Sequence, residues 1–302
     1  MSLLEIAWSP GSTVRARAVL ADLLALTKPR IVELLVVTGA TTAAVAAGGW
    51  PGVAPLAAVV LGGGMAGAGA GSINCALEGD LDRKMPRTRN RPVAAGRISA
   101  PVALAQGIVL NVLAVMFIAA VTNWLAAGLT LAGTIWYVFV YTLWLKPRTT
   151  QNIVIGGLAG SFPPLVGWAA VTGTVGATAL AFAAVIFLWT PPHFWALATL
   201  ANDDYQAAGI PMLPAVVGAR RTARAMLAYA GGMVLASLVP VAVGDLGALY
   251  LSVALIGGAW LVRACHRHVR RLERCTARQV FLGSLAYLAA LFAAAAVDIT
   301  VM

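Results

Sequence analysis

Long apolar runs alternate with short polar segments along almost the whole chain. Runs near the ~20 residues needed to cross a bilayer fall at about 31–49, 53–78, 101–121, 124–145, 151–171, 177–200, 225–243, 246–262 and 280–297. These nine stretches predict an all-α integral membrane protein. The segment AVLADLLAL at 18–26 is shorter than a span, is interrupted by Asp22 and has no convincing cleavage site. It predicts an interfacial helix leading into the first span. The expected organisation is therefore an N-terminal segment over 1–30 and a single intramembrane domain over 31–302, with no stretch suited to a soluble domain or linker.

Composition supports this class, since 60% of the 302 residues are hydrophobic and 11% charged. A net charge of +10 would fit nucleic acid, but the bases alternate with the spans. Arg15, Arg17, Lys28 and Arg30 precede the first; Arg83 to Arg97 follow the second; Lys146 and Arg148 follow the fourth; Arg220, Arg221 and Arg224 follow the sixth; Arg263 to Arg278 follow the eighth. All 21 Lys and Arg fall on one side, which the positive-inside rule makes cytoplasmic. The N-terminus is then inside and the C-terminus outside. Cys75, Cys265 and Cys275 show no metal or redox spacing and predict no disulfide. Gly62, Gly63, Gly64, Gly67, Gly69 and Gly71 bare one face of the second span for close helix approach.

Chemistry enters with the acids, because five of eleven sit in two places. Glu78, Asp80 and Asp82 follow the second span, and Asp203 and Asp204 follow the sixth, four helices later. That recurrence hints at an internal duplication of four-helix units. With the N-terminus inside, both clusters lie at helix C-termini, where the macrodipole disfavours negative charge. Asn74, Glu78 and Asp82 are spaced i, i+4, i+8 and would share one face if the helix persisted to Pro86. Carboxylates crowded in so unfavourable a place call for a cation, and two carboxylates with an amide oxygen suit Mg²⁺, which binds through a few such ligands plus substrate phosphates. The bland reading is a solvated loop in which Arg83, Lys84 and Arg87 neutralise the acids. Arg87, Arg91, Lys146 and Arg148 border the same face and suit a polyanion such as diphosphate.

Within the sixth span, WTPPHFW at 189–195 predicts a break at Pro191 and Pro192, with His193 just beyond it. An ionisable group inside a span is a functional candidate, and a histidine bonded to a freed carbonyl is its structural counterpart. Phe162, Pro163 and Pro164 predict a similar break in the fifth span. His266 and His268 read as solvated members of an Arg-rich loop.

The pattern NxxxExxxDxxxxRTxxRP, from Asn74 to Pro92, resembles the first aspartate-rich motif of the UbiA-type intramembrane prenyltransferases. Three further segments, 141–168, PPHFWALA at 191–198 and DDYQAAGIPMLP at 203–214, resemble the branch of that superfamily that farnesylates heme b. The resemblance covers most of the chain from about residue 24. It implies nine helices around a central cavity closed near the cytoplasmic side by the two acidic loops. Mg²⁺ would be held by Asn74, Glu78 and Asp82, with Asp203 or Asp204 completing the site. Lys146 would join the catalytic set, and Arg87, Arg91, Lys146 and Arg148 would hold diphosphate. His193 would bind or orient heme. The implied partners are farnesyl diphosphate, heme b, the lipid bilayer and proteins of heme A synthesis or terminal oxidase assembly; the high Arg-to-Lys ratio and the absence of a clear transit peptide favour a bacterial inner membrane. Two departures stand out: Glu78 replaces an aspartate common in the superfamily, and the second loop lacks a clean DxxxD. The competing expectations are another aromatic or tetrapyrrole acceptor, or a secondary transporter, which would place its charges near the midplane.

Overall fold

The computed structural model describes residues 10–301, except for the side chains of residues 10–15 and of Asp203. Its described secondary structure is entirely helical. Among the described residues a leading helix, Pro10–Leu26, precedes nine helices long and apolar enough to span a membrane. They run Pro29–Ala47, Val53–Leu77, Ala100–Val121, Trp124–Leu145, Asn152–Thr172, Ala177–Leu200, Ala219–Ala242, Ala248–Arg271 and Arg274–Val301. Helices are the solution lipid demands, because each backbone N–H and C=O must find its partner within the segment.

The seventh, eighth and ninth spans extend beyond the apolar runs that announced them. Arg220 to Arg224, Arg263 to Arg271 and Arg274 to Arg278 belong to the helices themselves. Arginine stems lie along apolar surface while their heads stay polar, so helix continues where hydropathy falls away. His268 is buried in the last turn of the eighth span and bonded through Nδ1 to Thr276 Oγ1 at 2.8 Å, which corrects its reading as a solvated loop residue. His266 is exposed and accepts a bond from Arg270 Nε at 2.9 Å.

The spans pack as two joined rings. The first to fifth spans close one ring, in which the first lies against the second and fifth; the sixth to ninth close the other. Contacts of the fifth with the sixth span, and of the first with the ninth, join them. Glycines set the closest approaches. A Cβ at Gly107 would lie 2.7 Å from the Gly69 carbonyl, which locks the second span onto the third. A Cβ at Gly71 would lie 3.2 Å from the carbonyls of Leu26 and Thr27, so that the end of the leading helix rests on the second span.

The prolines behave differently from expectation. Pro191 and Pro192 sit inside a continuous helix. They remove the two backbone donors that would reach the Phe187 and Leu188 carbonyls, yet the helix runs on through them in a span packed on both rings. In the fifth span, Gly157–Ser161 tightens into a 3₁₀ turn before the α-helix resumes at Phe162, with proline in its first turn.

Two other acids take structural roles at the end of the bundle remote from the bases. Asp298 accepts the backbone N–H groups of Gly247, Leu249 and Tyr250, capping the start of the eighth span. Asp245 accepts from Thr178 Oγ1 at 2.5 Å.

Candidate active site

The second span does not run straight to Pro86. Its helix ends at Leu77, Glu78 takes φ −100° and ψ 9°, and a new turn, Gly79–Arg83, begins. Two bonds carry the chain through the kink, Glu78 N to Asn74 O at 2.9 Å and Asp82 N to Glu78 O at 2.8 Å. Asn74, Glu78 and Asp82 therefore remain close in sequence order but meet different neighbours.

Burial separates the acids of the charge run. Glu78 and Asp82 are 5% and 1% exposed, whereas Asp80 projects to the surface and pairs with Arg83 at 2.5 Å. The solvated-loop reading holds for Asp80 alone. Burying two carboxylates requires that each be paired or hydrogen-bonded, and the chain supplies the partners. Glu78 Oε1 accepts from Lys146 Nζ at 2.5 Å, and Arg91 Nη1 donates to both oxygens of Asp82 at 2.8 Å. Asn74 Oδ1 accepts from Lys28 Nζ, and Asn74 Nδ2 donates to Thr142 Oγ1 at 3.0 Å. Glu78 Oε2 is buried without a hydrogen-bond partner.

The spacing of the motif now has a local cause. Thr88 Oγ1 donates to the Asp82 carbonyl at 3.0 Å, turning the loop back on itself and bringing Arg91 over the Asp82 carboxylate. Arg83 Nε ties the same loop to Ala94 O at 3.0 Å. Burial alone would lower the Arg91 guanidinium, but its bond to Asp82 outweighs this and holds it above the ordinary arginine value.

The fourth span presents its polar side chains through a change of helix type. From Trp136 to Leu145 it is a π-helix. Nine residues of α-helix make about 2.5 turns, which would put Tyr137 and Lys146 on opposite sides. The wider i→i+5 turn instead puts Tyr137, Thr142 and Lys146 on one side, where Tyr137 meets Lys28 at the head of the first span and Thr142 and Lys146 meet Asn74 and Glu78 at the end of the second.

Lys28 is the residue that sequence reasoning missed. It occupies the left-handed region (φ 51°, ψ 59°) between the leading helix and the first span, and reaches Asn74 and, at 3.4 Å, the Tyr137 hydroxyl. Burial pulls its ammonium below the ordinary lysine value against the attraction of Glu78 and Asp82. One signal was available: Lys-Pro-Arg occurs at 28–30 and again at 146–148.

The remaining candidates are dispersed. Arg87 is exposed and lies against Tyr205, whose phenol is pushed above its usual value by burial, partly offset by that guanidinium. Tyr205 sits on the short helix Asn202–Ala207, so the two acidic loops meet through it. Asp204 is half-buried on the same turn, and the Asp203 side chain lies outside the described residues. Arg148 is exposed and donates to the carbonyls of Leu143 and Trp144 at 2.8 and 3.1 Å, capping the fourth span instead of joining the cluster. His193 lies in the second ring, stacked between Trp189 and Phe281 at centroid distances of 4.3 and 4.7 Å. Its Nδ1 is 2.9 Å from Ser284 Oγ, not on a freed proline carbonyl.

No group of three or more His, Cys, Asp or Glu stands ready for a metal among the described residues. The donor chemistry nonetheless fits a hard cation: an amide oxygen, two carboxylates and the unpartnered Glu78 Oε2.

Buried carboxylates at a helix end are thus faced by bases from three other segments of an all-helical bundle. Residues 34–297 match the UbiA prenyltransferase family, and the chain belongs to it. A protein from Thermus thermophilus named protoheme IX farnesyltransferase is 50% identical over 277 residues, covering 92% of this chain and 46% of the relative. The chain thus spans about half the length of that relative. A protein of the same name from Leifsonia xyli is 46% identical over 279 residues, covering 91% of both chains. Among solved structures, a digeranylgeranylglyceryl phosphate synthase superposes with a TM-score of 0.80 at 16% identity, over 94% of this chain and 99% of that one. A UbiA homolog from Archaeoglobus fulgidus bound to DMAPP and Mg²⁺ gives 0.66 at 17% identity, over 91% and 99%. At such identities these two structures speak for the fold.

Proposed function

We propose that this chain transfers the farnesyl group of farnesyl diphosphate to a vinyl group of heme b, giving heme O and diphosphate, the activity for which its relatives are named. The observation that carries the reading is the burial of Glu78 and Asp82 among Lys146, Arg91 and Lys28. In the reaction the C1–O bond of the allylic diphosphate breaks and its electron pair leaves with diphosphate. The terminal vinyl carbon bonds to C1, water adds at the inner vinyl carbon and a proton is released.

The chain's own residues serve this in three ways. Lys28, Lys146, Arg87 and Arg91 offer cationic donors to the departing diphosphate, where charge develops. Asn74, Glu78 and Asp82, with Asp203 or Asp204, would hold Mg²⁺, which supplies Lewis-acid stabilisation of the leaving group. The apolar walls of the first ring keep bulk water from the allylic cation.

His193 binds or orients heme in this reading. If Nδ1 donates to Ser284 Oγ, Nε2 carries the lone pair that a metal centre requires, with the ring's orientation fixed by its partner. The one-sided distribution of the 21 bases supports a cytoplasmic N-terminus and a site facing the cytoplasm of a bacterial inner membrane. Incubation of the purified chain with heme b, farnesyl diphosphate and Mg²⁺, followed by the mass of the extracted pigment, tests the proposal. A gain of one farnesyl group plus water is expected; unchanged heme b contradicts it.

A further inference from the structure

The donor oxygens of the motif already face cations that belong to the chain. Lys28 holds Asn74, Lys146 holds one oxygen of Glu78, and Arg91 holds both oxygens of Asp82. Only Glu78 Oε2 is left over. We propose that Lys28 and Lys146 are internal counter-cations that make this site specific for a metal–diphosphate complex and exclude a free divalent cation. The inference rests on the transferase reading and adds an order of binding to it.

Charge is the first argument. The two buried carboxylates of the first motif face three bases, so that part of the site is cationic before any ligand enters. A bare divalent cation would add two like charges within a few ångströms of Lys28, Lys146 and Arg91, in a setting where water screens little. A diphosphate carrying a divalent ion is neutral or anionic as a unit and meets no such barrier.

The second argument is mobility. A lysine carries its charge on a flexible stem with three rotatable donors, so it can pass from a carboxylate to a phosphate oxygen without losing its partner. Both lysines precede a proline, Pro29 and Pro147, which fixes the following backbone and leaves the side chain as the moving part. Arg91 differs, since the Thr88 turn sets its loop directly over Asp82. When diphosphate draws Lys28 and Lys146 away, Asn74 Oδ1 and Glu78 Oε1 join Glu78 Oε2 as free hard donors for the ion that arrives with it. Lys28 and Lys146 thus contribute to selectivity as well as to holding the anion.

The test is Mn²⁺ binding to the purified full chain, read by electron paramagnetic resonance with and without inorganic diphosphate. Wild type should bind Mn²⁺ at least tenfold more tightly when diphosphate is present. Lys146→Met should bind Mn²⁺ alone at least tenfold more tightly than wild type and lose the diphosphate dependence. Lys146→Arg, which keeps the charge, should restore it. Lys28→Met should shift the same way by a smaller factor. Because Asn74 is neutral, that variant leaves no naked charge and serves if Lys146→Met fails to fold. Equal Mn²⁺ affinity of wild type with and without diphosphate, or methionine variants that bind Mn²⁺ alone no better, overturns the proposal. The pigment assay separates the two ideas: farnesylated heme with diphosphate-independent Mn²⁺ binding defeats the counter-cation role alone, and diphosphate-dependent Mn²⁺ binding without any farnesylated heme defeats the acceptor alone.

Discussion

Lys146 Nζ lies 2.5 Å from Glu78 Oε1, joining the fourth span to the kinked end of the second. That contact depends on the π-helical stretch Trp136–Leu145, which turns Lys146 to the face already occupied by Tyr137 and Thr142. Helix type and site chemistry are thereby linked, because a regular α-helix would send the lysine elsewhere.

Thr142 is the middle rung of this ladder, and its hydroxyl receives Asn74 Nδ2. Thr142→Val keeps the shape and leaves a buried amide donor unpaired, at a cost of about 1–3 kcal/mol. The expected outcome is a lower melting temperature in detergent together with a several-fold loss of prenyl transfer, as Asn74 turns away from its working position. Unchanged values of both would show that the rung carries no weight.

Asp80 provides the contrast. Its pair with Arg83 is exposed, and exposed pairs contribute little. Asp80→Asn should leave turnover and melting temperature as in wild type, although Asp80 lies two residues from both Glu78 and Asp82. A large loss on this substitution would mean that the whole charge run acts as one unit.

The spans and the acidic motif were legible because each obeys a one-dimensional rule: apolar runs of membrane length, bases on alternate loops, acids at the wrong helix ends. The partners of the acids were not. Lys28 lies 46 positions before Asn74, and its only mark in the sequence is a tripeptide shared with Lys146. The kink at Glu78, the π-helix and the withdrawal of Arg148 to cap its own helix each depend on tertiary packing. Pro191 and Pro192 misled for the opposite reason, since a local rule about broken ladders was overruled in a span packed against both rings.

Chelation distinguishes a catalytic ion from a structural one. Lys146 and Arg91 already pair the buried carboxylates, so EDTA should abolish transfer without lowering the melting temperature. Mg²⁺ alone should not raise that temperature, whereas Mg²⁺ with diphosphate should, because a ligand bound only to the folded state stabilises it by mass action. Unfolding by EDTA in the absence of substrate would contradict this.

His193 is held by Ser284 and clasped by Trp189 and Phe281. If its ring orients heme b, His193→Ala should weaken heme binding at least tenfold, and Ser284→Ala should weaken it less by freeing the ring to rotate. Titration of heme absorbance checks both. Wild-type affinity and turnover in His193→Ala would remove the role and leave the histidine as packing.

The central claim is that Glu78 and Asp82, buried at the end of the second span, bring metal and diphosphate to the reacting bond. Its most direct test is the farnesyl transfer rate of the double variant Glu78→Gln, Asp82→Asn, measured on folded protein with saturating heme b, farnesyl diphosphate and Mg²⁺. Loss of one well-placed electrostatic partner commonly costs about 10²–10³ in rate, so a fall of at least roughly a hundredfold is predicted. Transfer at the wild-type rate would contradict the account.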